Sequence, residues 1–73
     1  MKKNLSQIAK GASAIIEAFT DEEMSLRLLE MGCLPGEKVE INHIAPLGDP
    51  IAITVSGYKL SLRKKEAATI LVK

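Results

Sequence analysis

Few side chains in this sequence are able to do chemistry. His43 is its single histidine and Cys33 its single cysteine. With Asp49 they make the one combination whose donor types suit a transition metal. The spacing argues against it. No two of the three lie at the intervals of a local ligand pair, and there is no CxxC or Cys/His cluster to hold zinc. The alternation around His43 puts it on the inward-facing register of a strand, where a lone histidine is expected to be a satisfied or rim residue. Cys33 reads as a small buried apolar residue, and on its own it forms no intramolecular disulfide. No metal ligand and no cofactor are assigned, although coordination shared with a partner stays open.

Catalysis has no better footing. His43 lacks an evident acid and nucleophile beside it. Gly32 and Gly36 punctuate a helix exit without the Gly-Lys-Ser/Thr of a phosphate-binding loop. The chain is expected to be a non-enzyme with no catalytic residue.

Contact chemistry is better represented. Leu47 sits between Pro46 and Gly48 at a loop tip, where it either folds back over the mouth of the fold or stands out as an apolar anchor. A stiff loop that presents one leucine loses little entropy on binding. Asp49 is expected to stabilise the turn by accepting a nearby backbone N–H. Glu17, Asp21, Glu22, Glu23 and Glu30 gather around one segment, opposed there by Arg27. Lys59, Arg63, Lys64 and Lys65 make the other end basic. Most of these charges are expected to be solvated surface. A dipolar arrangement would also orient docking. Arg63 has the fork geometry to grip a partner carboxylate, or to pair with Glu66 within the chain. Leu47, Asp49, Arg63 and Arg27 are therefore the candidate partner-binding residues.

These residues must be positioned by short elements. Leu5 to Lys10 allows a single helical turn capped by Ser6. Ala12 to Phe19 reads as a strand. Thr20-Asp21-Glu22-Glu23 fits a capping box with Thr20 at the N-cap and Glu23 at the third helical position. Met24, Leu28 and Met31 then form an apolar stripe, with Gly32 as the C-terminal cap, so the helix is placed at about residues 21–31. From Lys38 the period changes to two. Val39, Ile41 and His43 alternate with polar residues. So do Ile51, Ile53 and Val55, and then Tyr58, Leu60 and Leu62. Ile70 and Val72 face opposite to Leu71. Pro46 to Pro50, Ser56-Gly57 and a short stretch from Lys64 to Ala68 are the breaks. Four or five such strands with one helix fit a strongly bent antiparallel barrel.

Composition bounds the rest. With 73 residues the chain has room for one domain, taken as residues 1–73, and a net charge of +1 with two aromatic side chains, Phe19 and Tyr58, argues against nucleic acid. No basic start is followed by an uninterrupted apolar run, and no segment approaches the roughly 20 apolar residues of a membrane span. The expectation is a soluble cytoplasmic protein that reaches a membrane only through a partner.

Three stretches carry a resemblance. Leu28-Leu29-Glu30-Met31-Gly32-Cys33-Leu34-Pro35-Gly36, Ala45-Pro46-Leu47-Gly48-Asp49-Pro50-Ile51, and Leu60-Ser61-Leu62-Arg63 with Glu66-Ala67 resemble, in order and spacing, the helix exit, inter-strand loop and closing strand of the ferrous iron transport protein A (FeoA) family. One departure is Cys33, at a position where a larger aliphatic residue is common. The resemblance runs from about Gly11 to Val72. It implies a mainly β fold, a five-stranded SH3-like barrel with one α-helix after the first strand. It also implies a role assisting FeoB, the ferrous iron permease with a cytosolic GTPase domain, without catalysis. Similar barrels end metal-dependent repressors of the diphtheria toxin repressor type, so a metal-responsive regulatory module is the alternative. The absence of a helix-turn-helix favours the freestanding form, and oligomeric state is open.

Overall fold

The structure, a computed structural model, describes residues 3–73. The chain forms β1 (Lys3–Asn4), a 3₁₀ turn (Leu5–Gln7), β2 (Ser13–Phe19), α1 (Glu22–Glu30), β3 (Lys38–Ile44), β4 (Ile51–Val55), β5 (Tyr58–Leu62), α2 (Lys64–Ala67) and β6 (Ile70–Val72). The strands make one antiparallel sheet in the order β1-β6-β2-β3-β4-β5. The five expected strands and the helix are present. The two-residue β1, paired with β6, and the one-turn α2 add to them.

Alternation decides which face of each strand is buried. In β4, Ile51, Ile53 and Val55 point into the core, and in β6 Ile70 and Val72 do the same. Leu5, Leu28 and Cys33 close over them, each fully buried. Complete burial of one leucine or isoleucine contributes about 1.5–3 kcal/mol. Leu5, from the 3₁₀ turn, is therefore as much a core residue as those of the strands. The cap of that turn is Asn4, whose side chain accepts from the Ser6 N–H at 3.0 Å. Ser6 does not cap it.

The N-cap of α1 is Asp21, not Thr20. Asp21 Oδ1 accepts from the Met24 N–H at 3.0 Å. Thr20 lies between β2 and α1, and its N–H donates to the Thr69 carbonyl, just before β6, at 2.9 Å. That bond ties Thr20 to the chain before β6, and Asp21, with the extended backbone of a cap at φ −130° and ψ 117°, takes the N-cap position. The exit follows the pattern expected of Gly32, which has φ +97°. The Cys33 N–H bonds the Leu28 carbonyl at 2.9 Å and the Gly32 N–H bonds the Leu29 carbonyl at 3.1 Å, the paired bonds of a Schellman motif. Its apolar contact brings Cys33 back to Leu28.

His43 is a second correction. The β3–β4 register shifts between Ile41 and His43, so Ile41 opposes Ile53 while His43 opposes Ala52. The extra residue reverses the alternation: Ile44 turns toward the core and His43 becomes exposed. A bulge of this kind cannot be seen in an uninterrupted run of strand formers.

Candidate functional site

The candidate residues converge on α2. This helix opens after Arg63, its N-cap residue, and Glu66 stands at the third position. Glu66 Oε1 accepts from the Arg63 N–H at 2.8 Å, while Oε2 lies 3.4 Å from Arg27 Nη2. Arg27 is on α1, so one carboxylate joins both helices. Glu66 is only 7% exposed, and the two bonds satisfy what burial would otherwise leave uncompensated.

The loop before β4 is fixed to the same helix. Asp49 Oδ1 accepts from the Lys64 N–H at 2.9 Å, an amide in the first turn of α2 that has no partner within the helix. Asp49 does bond a backbone N–H, as expected, but one fifteen residues away in the chain. The turn itself is closed by the Gly48 N–H on the Ala45 carbonyl, at 2.7 Å, and by the Ala45 N–H on the Pro50 carbonyl, at 3.1 Å. A negative group at this end of α2 also suits the local backbone dipole.

With its base tied down, the loop presents Leu47. The side chain is 95% exposed and does not fold back over the barrel. The helix that fastens the loop brings a cation beside it. Lys64 lies over the loop, its Nζ 4.0 Å from where a Cβ on Gly48 would be. Arg63 and Lys65 are exposed, and the Arg27 side chain keeps 68% exposure despite its bond to Glu66. Of the two roles open to Arg63, its guanidinium makes no ion pair among the described residues. Glu66 takes the Arg63 backbone N–H, and Arg27 supplies the cation.

Sequence reasoning missed the central part that Glu66 plays. The signal was present as Arg63-Lys64-Lys65-Glu66, the spacing of an N-cap and a returning carboxylate. Reading Lys64 to Ala68 as a break between strands concealed the helix.

The three candidate metal donors do not meet. Cys33 is buried at the helix exit, and burial pushes its thiol pKa up, which keeps it protonated. His43 is exposed on β3, and Asp49 is engaged by Lys64. Among the described residues no three of His, Cys, Asp and Glu gather as a metal would need. Among the same residues no helix is long and apolar enough to cross a membrane.

Comparison with known proteins agrees with this architecture. The FeoA domain family matches residues 3–73. A curated relative, the Fe(2+) transport protein A/Fe(2+) transporter FeoB fusion protein of Porphyromonas gingivalis, is 35% identical over 69 residues, which cover 93% of this chain but only 8% of that protein. The solved FeoA-like protein of Clostridium acetobutylicum is 34% identical, with a TM-score of 0.93 over 99% of this chain and 85% of that one. The zinc complex of Stenotrophomonas maltophilia FeoA, described as a prokaryotic SH3 domain protein, is 29% identical with a TM-score of 0.84, covering 100% of this chain and 89% of that one. A manganese-dependent transcriptional repressor shares the fold alone, at 14% identity and a TM-score of 0.89 over 97% of this chain and 36% of that one. The fold is thus mainly β and SH3-like, and the chain belongs to the FeoA domain family.

Proposed function

We propose that the chain is a non-catalytic accessory module of ferrous iron uptake, acting in the cytosol by contact with a FeoB-type membrane transporter. The observation that supports this most is the fusion of a related segment to FeoB in the Porphyromonas gingivalis protein. Leu47 with Arg63, Lys64 and Arg27 is the proposed contact. An exposed leucine on a doubly fastened loop enters an apolar pocket at small entropic cost. The surrounding cations steer an acidic partner and set its orientation. Asp49 acts indirectly, by fixing the loop to α2.

Uptake of radioactive Fe²⁺ by cells lacking this protein is the functional test. Wild type restores uptake, and Leu47→Asp and Arg63→Glu restore less of it at equal protein level. Full restoration by both variants would remove the Leu47 surface from the mechanism.

A metal-responsive module is the second reading, supported by the zinc complex of the Stenotrophomonas maltophilia relative and by the fold shared with the repressor. Anaerobic calorimetric titration with Fe²⁺ and Mn²⁺ separates the two. Heat of binding to the isolated chain favours metal sensing, and its absence at high protein concentration favours docking alone.

A further inference from the structure

β5 forms one edge of the sheet, with β4 as its single strand neighbour. Ser56 and Gly57, with φ of 51° and 81°, make the two-residue turn that sets Val55 opposite Tyr58. In a hairpin of this kind the closing pair is hydrogen-bonded, and bonded pairs alternate along the ladder. Tyr58, Leu60 and Leu62 therefore bond inward to Val55, Ile53 and Ile51. The N–H and C=O groups of Lys59 and Ser61 point to the free side. Among the described residues no hydrogen bond reaches them.

The side chains along this edge also alternate. Leu62 is buried, Leu60 is half-buried and packed on the core, and Tyr58 is 69% exposed. The core-side rim of the edge is thus apolar and partly uncovered. The outer side carries Lys59 and Ser61 and runs into Arg63, Lys64 and Lys65, with no acidic residue before Glu66. A second copy of β5 is a poor occupant. Antiparallel pairing would bring each Lys59 opposite or diagonal to its counterpart, where like charges repel, and an edge lysine is a common guard against self-pairing. A strand with acids on its outer side and apolar residues on its core side meets both halves of the edge.

We propose that the free edge of β5 is a strand-addition site for an extended segment of a partner protein in which acidic and apolar residues alternate. Backbone bonds to Lys59 and Ser61 supply the pairing. The contact beside Tyr58 and Leu60, and the charge of Lys59, supply the selection. The site is separate from Leu47 and stands whether or not that loop docks on the transporter.

The probe is a synthetic peptide of alternating glutamate and valine, blocked at both ends and long enough to span β5, added to the full chain. Amide hydrogen exchange by NMR is expected to slow by about tenfold or more at Lys59 and Ser61, the fold-change that corresponds to about 1.4 kcal/mol of protection. The Leu60 amide, already bonded to β4, is expected to stay unchanged. A peptide with lysine in place of glutamate binds more weakly, and one with its pairing amides N-methylated does not bind. Ser61→Pro removes the outward donor without touching the β4 ladder, so it abolishes binding at unchanged melting temperature. If that variant folds poorly, the N-methylated peptide makes the same test from the ligand side. Equal binding of the N-methylated peptide would overturn the proposal. So would perturbations centred on Leu47 and α2, or protection of Lys59 and Ser61 that arises without peptide as protein concentration rises, the sign of a second copy.

Discussion

Glu66 shows how much one side chain organises here. Its carboxylate takes the Arg63 N–H and the Arg27 guanidinium while being almost wholly buried. Removing it takes away the carboxylate that the part-buried Arg63 amide bonds, and a hydrogen bond to a charged group is worth about 1.5–3 kcal/mol. Removing Arg27 costs less, because a pair with one side chain 68% exposed is worth under about 1 kcal/mol. Chemical denaturation is therefore expected to rank Glu66→Ala well below Arg27→Ala in stability, and equal losses would assign the stabilisation to the ion pair instead. Cys33 gives a pH-dependent test. Burial raises the pKa of the folded thiol above that of the unfolded one. The resulting stability is fully present below the ordinary thiol pKa of about 8.5 and is lost as pH rises through the raised folded value. Wild type is expected to lose more stability than Cys33→Ala over that alkaline range, and parallel profiles would contradict it. At this scale the sequence disclosed types better than surroundings. Cys33 reads as buried because it follows a capping glycine. Asp49 reads as a turn residue, yet its bonding partner is brought to it only by the completed fold.

At the scale of elements, local signals located α1 but misplaced its first residue. Thr20 and Asp21 are both good caps by type. The choice between them goes with a non-local bond, in which the Thr69 carbonyl just before β6 accepts the Thr20 N–H. Asp21→Ala is expected to cost about 1 kcal/mol, the usual worth of an N-cap side chain. Thr20→Ala should cost less, since its hydroxyl lies 3.5 Å from the carbonyl it faces. Thermal unfolding of the two variants checks this, and a larger loss for Thr20→Ala would restore the other cap. The β3 bulge and the short β1 and α2 escaped prediction for related reasons. Register depends on the partner strand, and a two-residue strand or a one-turn helix has too few residues to show a period. The alternation in β4, β5 and β6 was legible because one face of each strand packs against the core.

For the whole molecule, topology brings together what the sequence keeps apart. Residues 27, 47, 49 and 63 fall on three separate segments, and α2 joins them at one end of a body measuring 29 × 24 × 22 Å. A standard protein interface buries roughly 800 Å² per partner. Against a total accessible surface of 4638 Å², a partner of that size seated on Leu47 would also cover the first turn of α2, whose Lys64 lies over the loop. On the proposed contact, apolar anchor and charge would therefore be covered together. The barrel was legible in the sequence from strand spacing, but the convergence on α2 was not, because none of its contacts is local. The most direct test is titration of the cytosolic part of a FeoB-type transporter from the same source with this chain and with Leu47→Asp. Leu47 is 95% exposed, so the substitution should leave folding stability within about 0.5 kcal/mol of wild type. The predicted result is saturable binding by wild type, weakened at least about tenfold, or about 1.4 kcal/mol, by Leu47→Asp. No binding by the folded wild-type chain, or equal affinity of the two proteins, would contradict the account.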